Sequence, residues 1–167
     1  MSNNYFRFKQ FTVEHTRCAM KVGTDGVLLG AWARGGHTIL DIGTGSGLIA
    51  LFMAQRYPSG KIVAIDVDAG AVLQARINVY NSAFSDRITI IEKPLQEFCA
   101  GQFGSIVCNP PFFVNSLKNR DGQKAMARHA DTLTHAELVS GASRLLADDG
   151  EFSVVIPAAL RTAIDAE

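Results

Sequence analysis

From residue 38 onward, short apolar runs alternate with longer stretches of helical periodicity. Thr38-Ile39-Leu40-Asp41-Ile42 reads as a buried strand, and Gly47 to about Arg56 as an apolar helix closed by Tyr57-Pro58-Ser59-Gly60. Lys61-Ile62-Val63-Ala64-Ile65-Asp66 is a second strand and Ala69 to Tyr80 a second helix. Arg87 to Ile91 is a third strand and Ser105 to Asn109 a fourth. Thr134-x-x-Glu137 has the form of a capping box, opening a helix to about Leu146. Gly150 to Ile156 supplies a fifth strand. Strands alternating with helices imply right-handed crossovers and an α/β fold with a doubly wound, mostly parallel sheet.

Two junctions in this pattern carry chemistry. The first is Asp41-Ile42-Gly43-Thr44-Gly45-Ser46-Gly47, between the first strand and its helix. Glycines let a backbone approach a ligand, and the helix that follows presents free N–H groups. The spacing is G-x-G-x-G, and Leu48 stands where a dinucleotide fingerprint would carry its last glycine. A tight structural turn is the plain alternative. Asp66, at the end of the second strand, suits the two hydroxyls of a ribose; otherwise it is a helix N-cap, a role Asp68 fills better. There is no Walker lysine pattern, which argues against a nucleoside triphosphate.

The second junction is Asn109-Pro110-Pro111-Phe112-Phe113. Proline lacks the N–H a ladder needs, so the fourth strand must end here. The aromatic residues then fall at the rim of the sheet, where ligands bind in open α/β folds, unless they are core rings behind a strand terminator.

Composition narrows the setting without changing this picture. The 167 residues are 47% hydrophobic and 19% charged, with 16 basic and 16 acidic side chains. That is one ordinary globular domain with no overall field announcing a nucleic acid. Within it, residues 1–21 carry four basic side chains against one acidic, as do residues 112–129. Cysteines 18, 99 and 108 form no C-x-x-C, which argues against a disulfide framework or zinc site and fits a reducing cytosol. The four histidines show no ligand spacing and are expected at the surface or as caps. No secretory pattern or membrane-length apolar run is seen, so a cytoplasmic location is expected.

The glycine loop with Asp66 and Asn109-Pro110-Pro111-Phe112 resembles the class I S-adenosylmethionine-dependent methyltransferases. More narrowly, Phe8-Lys9-Gln10-Phe11 and the run from Arg17 through Gly23-Thr24-Asp25-Gly26 to Trp32 resemble the bacterial tRNA1(Val) adenine-37 N6-methyltransferases. The resemblance implies a Rossmann-like domain over residues 38–167, preceded by an N-terminal segment, 1–37, that covers the cofactor site. It implies S-adenosylmethionine as cofactor, tRNA as substrate, no metal and a monomer. It also implies two further strands beyond the fifth, so the chain is expected to be part of a protein of about 230–250 residues.

The same resemblance assigns roles. Asn109 and the Pro110 carbonyl each accept a hydrogen bond from the target amine, turning its lone pair toward the methyl group, and Phe112 stacks on the base. Gly43, Gly45, Gly47 and Asp66 hold the cofactor, and Asp41 orients the loop and the cofactor's ammonium. Thr24 holds the cofactor's carboxylate or caps the helix that runs through Leu28 and Leu29. Lys118, Arg120, Lys124 and Arg128 grip tRNA phosphates or face solvent. Relatives of this fold often carry an acidic residue after the third strand; here Pro94 and Leu95 stand there, leaving that contact to backbone. A protein-glutamine or ribosomal guanine-N2 methyltransferase with the same clamp, or an inactive cofactor-binding module, are the alternatives.

Overall fold

The computed structural model describes residues 3–110 and 133–158. The elements are β1 (Tyr5–Arg7), β2 (Thr12–Glu14), α1 (Thr24–Trp32), β3 (Thr38–Ile42), α2 (Leu48–Arg56), β4 (Lys61–Asp66), α3 (Ala69–Tyr80), β5 (Ile88–Glu92), β6 (Phe103–Cys108), α4 (His135–Leu145) and β7 (Leu146–Val154). A 3-10 turn, Leu95–Glu97, follows β5.

The five strands β3 to β7 form one sheet in the order β5-β4-β3-β6-β7, with every pair parallel. The chain moves outward from β3 through β4 to β5, then returns to the other side of β3 as β6. Strand order therefore reverses between β3 and β6, where open α/β sheets leave a crevice at the strand tips. Both sequence junctions described above lie at that crevice, because Ile42 pairs with Cys108 at the ends of β3 and β6.

Side-chain alternation along β3 builds two cores. Ile39 joins Leu51, Met53, Val72 and Val79 under α1, α2 and α3, whereas Leu40 and Ile42 join Leu138, Ala142 and Leu145 of α4 on the opposite face. Asp41 consequently points to the α2 side. α1 lies close on α2: a Cβ at Gly30 would stand 2.8 Å from the Phe52 Cβ. The last carbonyls of these helices meet arginines, with Arg56 donating to Gly30 (3.0 Å) and Ala33 (2.6 Å), and Arg87 to Ala54 (2.8 Å). The Thr134–Glu137 capping box is present at the start of α4.

Three features depart from the sequence reading. First, β1 and β2 form an antiparallel hairpin that the strand pattern did not suggest, its strands being only three residues each. Phe11 and Val13 nevertheless bury in the α-helical core, with Phe11 and Phe52 ring centroids 5.3 Å apart. Second, His15 is buried rather than at the surface, only 7% exposed. Its Nε2–H donates to the Asn3 carbonyl at 3.0 Å and its Nδ1 accepts a long 3.5 Å bond from the Val22 N–H. Third, β7 begins at Leu146, which pairs with Phe103; the ladder then resumes at Glu151 opposite Ser105, past Asp148-Asp149-Gly150. A turn-like composition hid this early pairing.

Candidate active site

Gly43, Gly45 and Gly47 all take left-handed φ values of 69°, 55° and 80°, which side chains rarely adopt. The turn is pinned from both sides. The N–H groups of Gly43 and Thr44 donate to the Ile65 carbonyl at 2.9 and 3.0 Å, and Gly45 N–H donates to Asp66 Oδ2 at 2.8 Å. Asp41 Oδ2 accepts from Thr44 Oγ1 (2.7 Å) and from the Ala50 N–H (3.1 Å), so one carboxylate oxygen ties the loop to the first turn of α2. These contacts tie Asp41 to the loop and to α2.

Asp41 is fully buried and its Oδ1 has no hydrogen-bond partner among the described residues. Burial raises its carboxyl from 3.8 to about 7, against the opposing pull of Thr44 and Ala50. The loop is open on one side among the described residues: a Cβ placed on Gly43 or Gly45 would meet none of them within 4 Å. An open glycine turn with an unpaired buried carboxylate oxygen beneath it fits a ligand carrying a cationic or N–H donor group.

Asp66 closes the other end of the crevice. Its Oδ1 accepts from Asp68 N–H at 3.0 Å and its Oδ2 from Gly45, so each oxygen keeps a further lone pair. Asp68, not Asp66, caps α3, accepting from Gly70 (2.7 Å) and Ala71 (3.4 Å). Lys93 N–H donates to the Asp66 carbonyl at 2.9 Å, and Leu95 turns into the core, 3% exposed.

On the neighbouring strand tip, Asn109 and the buried Pro110 follow β6. Asn109 Oδ1 is a second buried oxygen with no partner among the described residues. α1 reaches this point through Gly26, where a Cβ would lie 3.1 Å from Leu48 Cδ2 and 3.5 Å from Asn109 Nδ2. Thr24 is the first residue of α1; the N-cap is Gly23 and no side chain caps the helix, which removes the capping role considered for Thr24. Cys108 is buried, and that burial lifts its thiol well above the ordinary range. Phe112, Phe113, Lys118, Arg120, Lys124 and Arg128 lie outside the described residues. Among the described residues, no cluster of His, Cys, Asp or Glu could hold a metal ion, and no helix is long and apolar enough to cross a membrane.

Two residues that pattern reading passed over also belong here. Gln74 and Asn78 are 1% and 2% exposed on the inner face of α3. Their only signal in sequence is a pair of amides four apart within an otherwise apolar helix face.

A parallel sheet reversing at a glycine turn, with an acidic residue on the next strand and Asn-Pro at the switch point, defines the class I methyltransferase fold. Solved structures agree: a predicted O-methyltransferase from Agrobacterium tumefaciens has TM-score 0.65 at 19% identity, covering 86% of this chain and 66% of that one. TrmN from Thermus thermophilus has TM-score 0.59 at 28% identity, covering 83% of this chain and 39% of that one. The chain belongs to the methyltransferase small domain family, which it matches over residues 23–164. Curated relatives named tRNA1(Val) (adenine(37)-N6)-methyltransferase are 52% identical in Bacteroides thetaiotaomicron and 48% identical in Aeromonas hydrophila. This chain aligns over 94% and 95% of its own length with these two, spanning 68% of each.

Proposed function

We propose that this protein transfers a methyl group from S-adenosylmethionine to the N6 amine of an adenine in tRNA, adenine 37 of tRNA1(Val), in the cytoplasm. The observation that carries the reading is the presence at one switch point of two buried oxygens without a partner among the described residues, Asp41 Oδ1 and Asn109 Oδ1, beside the glycine turn. The names of the relatives supply the substrate. They favour tRNA over release-factor glutamine or ribosomal guanine, and an enzyme over an inactive binding module.

Bound at the turn, S-adenosylmethionine supplies an electrophilic methyl group. Gly43, Gly45 and Gly47 offer backbone to it, Asp41 Oδ1 takes its ammonium, and Asp66 uses its remaining lone pairs for the ribose hydroxyls. Thr24, at the start of α1, serves the carboxylate end. Residues 1–37 cover this half of the site, with 38–167 forming the catalytic domain.

Adenine N6 is a poor nucleophile because its lone pair is delocalised into the ring. Asn109 Oδ1 and the Pro110 carbonyl accept its two N–H bonds, which draws the nitrogen toward tetrahedral geometry and aims the lone pair at the methyl group. The Pro110 ring locks φ and the proline after it restricts ψ, so its carbonyl is held in place before substrate arrives. Phe112 stacks on the splayed base, and Lys118, Arg120, Lys124 and Arg128 contact phosphates. Asparagine cannot act as a base; the product ammonium loses its proton to water. Incubation with bulk tRNA and methyl-labelled cofactor, then nucleoside analysis, tests the reading. Label in N6-methyladenosine is expected; label confined to another nucleoside, or none, would overturn it.

A further inference from the structure

Asn78 spends all three of its amide hydrogen bonds on backbone of two separate segments. Its Oδ1 accepts from the Glu14 N–H at 3.0 Å, and its Nδ2 donates to the Glu14 carbonyl and to the Ser46 carbonyl, each at 2.8 Å. Ser46 is part of the glycine turn, and Glu14 ends β2. One helical turn toward the N-terminus of α3, Gln74 Oε1 accepts from Thr16 Oγ1 (3.1 Å) and from the Arg17 N–H (3.3 Å). Continuing the same way, the Arg17 carbonyl lies 3.2 Å from where a Cβ would stand on Gly70. Residues 14–17 therefore run along α3 as a strap climbing from the hairpin toward the strand tips. Next along the chain, burial, and then the Asp66 and Asp68 carboxylates, push the Cys18 thiol up to about 11. From there the chain enters α1, whose Gly26 rests against Leu48 and Asn109.

Burying an amide is costly unless each of its groups is bonded, and an aliphatic residue would fill this position on α3 without that requirement. What the amide provides is a link that an aliphatic residue lacks: one side chain sets the separation between the N-terminal strap and the glycine turn. We infer that Asn78 is a positioning residue for the cofactor site, registering the strap against the turn so that both present to the cofactor together. This rests on the proposed role of the turn in holding S-adenosylmethionine.

The test uses the full chain, as wild type and as Asn78→Ala, Asn78→Asp and Gln74→Ala. Asn78→Asp keeps an acceptor for Glu14 and loses both donors; Gln74→Ala loosens the strap alone. Calorimetry with S-adenosylmethionine should show binding weakened roughly tenfold in both Asn78 variants, the scale of lost buried hydrogen bonds, and less in Gln74→Ala. In tRNA methylation the cofactor KM should rise by a similar factor while kcat and the tRNA KM stay within about threefold. Hydrogen exchange supplies an arm independent of any substitution: in the wild type, amides of residues 14–17 should gain protection on cofactor binding together with those of 43–47. Wild-type affinity in a folded Asn78 variant would overturn the inference, as would protection confined to 43–47, and the latter holds even if the variants fail to fold. A wild type that binds no S-adenosylmethionine refutes the functional reading itself, and this inference falls with it.

Discussion

Replacing Asp41 by Asn separates the charge of this buried residue from its hydrogen bonds. An asparagine oxygen still accepts from Thr44 and Ala50 as Oδ2 does, at 2.7 and 3.1 Å. What disappears is the ionisation that burial opposes, which raises the carboxyl from 3.8 to about 7. The folded chain holds this proton more tightly than the unfolded chain. The stability it contributes is complete below about pH 4 and is lost as pH rises to about 7. The folded group is itself half ionised at pH 7, so at about 1.36 kcal/mol per pH unit wild type loses roughly 2 kcal/mol between pH 5 and pH 7 through this group, and the variant loses none of it. The asparagine also leaves an N–H where Oδ1 has no partner, a cost of about 1–3 kcal/mol that is the same at both pH values. The readout is therefore how much the gap between the two proteins changes with pH. Thermal unfolding of both at pH 5 and pH 7 should show the variant gaining on wild type by roughly 4–8 °C at the higher pH, taking 2–4 °C per kcal/mol. The variant should also bind S-adenosylmethionine about tenfold more weakly at pH 8, having lost the carboxylate proposed to receive the ammonium. A melting gap that does not move with pH would refute the assignment of a proton to Asp41.

Asn109→Ala should leave calorimetric cofactor affinity nearly intact and lower kcat for tRNA by roughly a hundredfold, the scale for one preorganised polar group. Parent-rate methylation in that variant would dismiss the clamp. Asp66→Ala should weaken S-adenosylmethionine at least about tenfold, because it removes both the hydroxyl acceptor and the anchor of the Gly45 N–H; unchanged affinity would take Asp66 out of the site. Gly30→Ala pits helix propensity, which favours Ala by about 1 kcal/mol, against a Cβ 2.8 Å from the Phe52 Cβ. Overpacking of about 1–3 kcal/mol should win, and a raised melting temperature would show that the α1–α2 contact yields.

The strands and helices from residue 38 to Arg56, Asp66 and Tyr80 could be read from sequence because they are local. β3, β4 and α3 begin and end where apolar periodicity and turn residues place them, and α2 starts one residue past Gly47. The glycine turn, Asp66 and Asn109-Pro110 were legible for a related reason: each stands at the end of a strand, and a doubly wound sheet has one place for strand ends to converge. Asp68 as the cap of α3 followed from the same local rule. Sequence therefore determined the fold class, the location of the crevice and the residues at its rim.

Tertiary structure alone decided how the N-terminal segment packs on α2 and α3. Three-residue strands carry too little periodicity to announce a hairpin, and His15 is buried where Asn3 and Val22, 12 and 7 residues away, converge on its two nitrogens. The roles of Gln74 and Asn78 depend on partners 32 to 64 residues away along the chain, which the pair of amides on an apolar helix face does not identify. That Asp41 Oδ1 and Asn109 Oδ1 lack a partner among the described residues likewise became visible only in the folded arrangement. Local propensity chooses the elements, whereas the satisfaction of a buried polar group depends on whatever segment the fold brings against it.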